Sequence, residues 1–86
     1  MITFESRDIR GAENMHLSRV VYYGNSSMSI EMKLERVKEI LQSELKRNDF
    51  SVIQSYDGKK DVLVVPRGIK ALKELRDKVF TITERQ

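Results

Sequence analysis

Five cations cluster towards the C-terminal end of the chain: Lys59, Lys60, Arg67, Lys70 and Lys73. Lys59 and Lys60 follow an Asp57-Gly58 turn, Arg67 precedes the last apolar helical pattern, and Lys70 and Lys73 fall in its first two turns. Long basic side chains at a hairpin loop and a helix N-terminus suit contacts to phosphate groups. The same spacing has a plain structural reading. Lys70–Glu74, Lys73–Asp77 and Glu74–Lys78 stand i,i+4 and can neutralise one another on a helix. Lysines at a hairpin tip also discourage edge-to-edge association.

Groups able to catalyse are sparse. The single histidine, His16, has only Glu13 as a nearby acidic neighbour in sequence, too little for a general acid/base pair or a metal site. Asp57 is accounted for by turn chemistry and Asp61 by a residue opposite it in the hairpin. No glycine-rich phosphate loop, zinc-ligand spacing or nucleophile elbow occurs. With no cysteine, disulfides, thiolate metal sites and cysteine nucleophiles are excluded. No cofactor or metal is expected. Tyr22 and Tyr23 are adjacent, so in a strand they point to opposite faces and one of them is expected to be covered.

The element that must position these groups is the stretch Asn25 to Asn48. Ile30, Leu34, Val37, Leu41 and Leu45 recur at 4-3-4-4 spacing and form one apolar stripe, which Ile40 widens. Ser26, Ser27 or Ser29 can cap its start, Glu31 suits its positive end, and Lys46-Arg47-Asn48 is the stop signal. The spacing predicts a helix of about five turns. Met28 and Met32 lie opposite the stripe. Met28, Ile30, Met32 and Leu34 also alternate, so the competing reading is a strand over 28–34 paired with 17–23.

Ahead of this helix, residues 2–8 alternate as a first strand, and Met15–Tyr23 reads as a second, with helix as the alternative for its first half. After it, FSVIQSY and KKDVLVV flank Asp57-Gly58, which suits a two-residue type I′ turn. That turn pairs Val52 with Leu63 and Phe50 with Val65 on one face. It places Ile53 with Val62 and Ser51 with Val64 on the other. Pro66 ends the strand, Gly68 allows the turn into a last helix over Ile69–Phe80, and the tail TITERQ is expected to fray. The order is β-β-α-β-β-α. The expected fold is a single α+β domain spanning 1–86, in two layers: an antiparallel sheet with two helices on one face.

Two family patterns come near and neither is met. A KH RNA-binding domain would need helix over residues 13–23 and a Gly-x-x-Gly loop, where this chain reads Gly24-Asn25-Ser26-Ser27. LKRNDFSVIQ followed by VLVVPRG resembles HicA-type mRNA-interferase toxins. Where those carry Gly-Ser-His in mid-sheet, this chain has Gln54-Ser55-Tyr56, so no catalytic role carries over.

The 86 residues carry 34% charged side chains and a net charge of +3. Residues 1–28 and the central helix are each balanced, and the surplus lies in residues 50–86. No run of 18 apolar residues is present, and MITFESRDIRG carries charges where a secretion signal needs an apolar segment. Without cysteines, a reducing, cytoplasmic setting is expected. The balance favours a small non-enzymatic regulatory protein that binds another protein or, as a homodimer, a second copy of itself, of the kind mobile elements use as regulators or inhibitors. The expected interface is the sheet face bearing Ile53, Val62 and Val64, joined by Met28 and Met32. The alternative is a nucleic-acid-binding domain using the five clustered cations.

Overall fold

The computed structural model describes residues 1–9, 18–24, 27–55 and 62–85. Seven elements follow in order: β1 (Ile2–Asp8), β2 (Ser18–Tyr23), α1 (Ile30–Leu45), β3 (Phe50–Gln54), β4 (Val62–Pro66), α2 (Ile69–Leu75) and β5 (Lys78–Glu84). The strands form one sheet in the order β1-β5-β2-β4-β3. Three of its pairings are antiparallel, and β2 with β5 is parallel. The fold is α+β with a mixed five-stranded sheet and two helices. The expected four-stranded antiparallel sheet is therefore corrected in both strand number and direction.

The correction comes from the tail. Val79 stands four residues after Leu75 and so continues the apolar stripe of α2 in sequence. The helix nevertheless ends at Leu75, and Asp77 turns the chain with a left-handed φ of 58°. Lys78–Glu84 then extends as β5, with β1 on one side and β2 on the other. Phe80 and Ile82 alternate with Thr81 and Thr83, a strand pattern in β-branched company. Both apolar residues are buried, at 1% and 0% exposure. A central strand cannot fray without uncovering the core.

α1 is the predicted helix, and the competing strand over 28–34 is not formed. Ser29 caps it, its Oγ accepting from the Met32 N–H at 3.3 Å. Its buried residues are Val37, Ile40 and Leu41, with Leu34 and Leu45 packed against the core. Ile40 is thus central to the stripe, and Ile30 lies at the exposed end. The helix stops at Lys46, which takes the left-handed conformation (φ 54°, ψ 44°) expected of Asn48. β2 begins at Ser18; the expected start at Met15 lies outside the described residues.

The β3–β4 pairing is Val52↔Val64, Ile53↔Leu63 and Gln54↔Val62, one residue from the register that a two-residue turn would set. A slip of one exchanges the faces of a whole strand. The observed register places Phe50, Val52, Val62 and Val64 together on the covered face, where they join Val20, Phe80 and Ile82 of the central strands. Burial of that set outweighs the local turn preference. Asp57 and Gly58 lie outside the described residues. α1 and α2 contribute Val37, Ile40, Leu41, Ala71 and Leu75 to the same cluster, so both helices pack on one face of the sheet.

Candidate interaction surface

Strand registers define what the other face presents. Arg7 of β1, Val79 of β5, Arg19 of β2, Leu63 of β4 and Ile53 of β3 are consecutive cross-strand partners. They form one row across all five strands. A second row runs Glu5, Thr81, Val21, and a third runs Thr3, Thr83, Tyr23. Val65 pairs with Ser51 on the same face. Val21, Leu63, Val65 and Ile53 are half-buried, and Tyr23 is 58% exposed. Neither α1 nor α2 packs here. A shallow depression of about 500 Å³ lies towards β1, lined by Glu5, Ser6, Arg7, Val79 and Thr81.

The adjacent tyrosines divide between the faces as expected. Tyr23 is on the open face, whereas Tyr22 turns to the core and donates its hydroxyl to Glu84 Oε2 at 2.5 Å. Arg36 of α1 donates Nε to both carboxylate oxygens of Glu84, at 3.0 and 3.2 Å, and adds Nη2 to Oε1. Burial, and then the bond to Glu84, push the Tyr22 phenol up to about 12. The Arg36 guanidinium, and then the phenol, hold the Glu84 carboxyl below its usual range. A phenol that resists ionisation and a carboxylate already occupied by a guanidinium form a structural tie between α1, β2 and β5. Gly24 makes room for it, since a Cβ there would collide with the Tyr22 ring and hydroxyl.

At the opposite end of the sheet, Arg47 holds Asp49 by Nε–Oδ1 at 2.6 Å and Nη2–Oδ2 at 2.7 Å, and donates Nη1 to Glu74 of α2. This fork keeps the Asp49 carboxyl below its usual value, with a smaller contribution from Lys70. Sequence reasoning missed both networks. Tyr22–Glu84, Arg36–Glu84 and Arg47–Glu74 stand 62, 48 and 27 residues apart with no local signal to link them, and only Arg47–Asp49 is local, two residues apart.

The predicted interface residues do not come together. Val62 and Val64 are fully buried on the covered face, Ile53 is on the open face, and Met32 is 59% exposed on α1. Met28, half-buried, lies ahead of that helix. The one-residue change of register separates Ile53 from the two valines.

Of the basic set, three members lie among the described residues. Arg67, Lys70 and Lys73 are exposed beyond the Pro66 end of the β3–β4 hairpin. Lys59 and Lys60 lie outside the described residues. Arg67 Nε donates to Ser51 Oγ at 3.0 Å. The anticipated helical charge pairs give way to others, and α2 ends at Leu75, before Asp77 and Lys78. Glu74 meets Arg47, Asp77 meets Arg76, and Lys78 meets Asp8. His16 and Asp61 lie outside the described residues.

No protein-family model, curated protein or solved structure matches this chain. Its function has to be argued from its own geometry. Among the described residues there is no group of three or more His, Cys, Asp or Glu placed to hold a metal ion. No described helix is long and apolar enough to cross a membrane. Residues 18–23 form a strand, which removes the helix a KH arrangement would need.

Proposed function

We propose that this chain is a small non-enzymatic regulatory protein of the cytoplasm that acts by binding another protein on the open face of its sheet. The observation that carries this reading is the sheet face on which neither α1 nor α2 packs, where Arg7 and Tyr23 are exposed, Arg19, Val21, Ile53, Leu63 and Val65 are half-buried and Val79 is buried. Apolar groups of four strands lie there beside two guanidiniums and an exposed tyrosine. Aromatic and arginine side chains around an apolar centre are the usual composition of a protein contact surface.

The test is affinity capture with the tagged chain, with and without nuclease, comparing wild type with Leu63→Lys. Leu63 is half-buried on the open face, so lysine there can reach water while the core stays intact. The expected result is a protein bound in a nuclease-resistant manner by wild type and lost with Leu63→Lys, whose circular dichroism is unchanged. Capture unaffected by Leu63→Lys would contradict the assignment of the face. Capture that collapses with nuclease would transfer the function to the basic residues Arg67, Lys70 and Lys73, with Lys59 and Lys60.

A further inference from the structure

The backbone hydrogen bonds at the two ends of β1 fix which of its groups face outward. Met1 and Arg85 exchange both of their bonds, at 2.9 and 3.0 Å, and Ile9 N–H donates to Asp77 O at 2.9 Å. In an antiparallel ladder such pairs recur every second residue. The odd residues of β1 therefore bond to β5, and Ile2, Phe4, Ser6 and Asp8 direct their N–H and C=O away from the sheet. No described strand pairs with that edge. Only Phe4 of this strand is half-buried, its ring stacked on Phe80 at 5.7 Å; the other six residues are exposed.

We propose that this edge is a self-association site, at which two copies of the chain pair their β1 strands antiparallel about a two-fold axis at Ser6. The charge pattern selects the register. With the axis at Ser6, Glu5 stands opposite the partner's Arg7 and Arg7 opposite the partner's Glu5. Both contacts fall at the closer, non-hydrogen-bonded positions, where opposite charges attract most. The outward groups of Phe4, Ser6 and Asp8 then meet those of the partner's Asp8, Ser6 and Phe4. An axis at Glu5 or at Arg7 sets like charges face to face. An axis at Phe4 puts Glu5 opposite the partner's Thr3 and Arg7 opposite the partner's Met1. Among the described residues, neither Glu5 nor Arg7 has an ion pair within its own chain. Both line the shallow depression whose middle residue on β1 is Ser6. Pairing about an axis normal to the sheet keeps both helix layers on one side and joins the two open faces into one continuous surface. This edge is separate from the open face, and its pairing does not depend on what protein that face binds.

Sedimentation of the full chain over a wide concentration range tests this. Wild type is expected to pass from the mass of one chain to that of two. Ser6→Pro removes an outward N–H, a substitution that an edge strand accommodates, and is expected to remain at one chain with unchanged circular dichroism. Glu5→Arg and Arg7→Glu should each weaken association by about tenfold or more. The double exchange, which restores opposite charges, should recover it. A wild type that stays at one chain throughout overturns the proposal, as does Ser6→Pro pairing like wild type. Single reversals without effect overturn the register. Loss of pairing in Leu63→Lys, with Ser6→Pro still pairing, would move self-association from the edge to the open face.

Discussion

The two edges of this sheet are built differently. β3 has its first residue, Phe50, at 1% exposure, and only Gln54 of its five residues is exposed. It is the strand on which α1 packs most closely, and Asp49 at its entry is held by Arg47 and by the Arg67 N–H at 2.8 Å. β1 is longer, and six of its seven residues are exposed. Proteins guard free edges by shortness, by cover or by charge. β3 uses the first two. β1 has only charge, and its charges alternate in sign along one face. A repeated single sign would repel a second copy, whereas Glu5 and Arg7 complement one. Charge on an edge repels or attracts a second copy according to its pattern of sign, not its amount.

The largest expected effect removes the sheet that both edges share. Val62 is fully buried and pairs with Val20 and Gln54 of its two neighbours. Val62→Lys puts an ammonium among apolar side chains and should cost more than about 4 kcal/mol. Loss of the cooperative thermal transition would confirm it. A folded, soluble variant would contradict the observed register and return Val62 to a surface.

Loosening the β3 side alone comes next. Arg47→Ala frees Asp49 and Glu74 and should lower the melting temperature by less than the loss of a core residue does, since both carboxylates are partly exposed. Because the fork holds the Asp49 carboxyl below its usual value, its contribution is present above about pH 4 and is lost as pH falls further. Denaturant melts against pH should show a shallower acid limb in Arg47→Ala than in wild type. Self-association through β1 should not change.

On the β1 side, the tie beside Ile2 and Glu84 acts at the other end of the pH scale. The Tyr22 phenol ionises near 12 in the folded chain and near 10 unfolded, so its neutral form stabilises the fold below pH 10. That contribution declines as pH rises from 10 towards 12. Ultraviolet titration should show a late phase that Tyr22→Phe removes. The smallest effect is favourable. Lys46 is exposed in a left-handed helix end, and Lys46→Gly should raise stability by about 0.5–1 kcal/mol, read as a higher melting temperature.

The parts of this molecule visible in the sequence were those with a local period. The stripe of α1, the alternation of β1 and the paired runs around Asp57-Gly58 each needed only neighbours to be seen. β5 was hidden because Val79 fits two periods, four residues from Leu75 as a helix and two from Thr81 as a strand. Its strand form is decided by the places left for it between β1 and β2. The hairpin register was hidden because turn chemistry and core burial disagree by one residue, and burial carries more energy. The opposite facing of Tyr22 and Tyr23 was legible from adjacency. The partners of Tyr22 were not, because Arg36 and Glu84 are brought to it from other elements. The candidate surface was misassigned by the same slip of register, which exchanged Leu63 and Val65 for Val62 and Val64.

Hydrogen exchange along β1, followed by nuclear magnetic resonance at rising protein concentration, separates a pairing edge from a guarded one. The amides of Glu5 and Arg7 bond to β5 and should be protected at every concentration. Those of Phe4, Ser6 and Asp8 point outward and should exchange freely in dilute protein, becoming protected as copies pair. Free exchange of these three at the highest concentration, while Glu5 and Arg7 stay protected, would contradict edge pairing and leave β1 as an edge guarded by its charges alone.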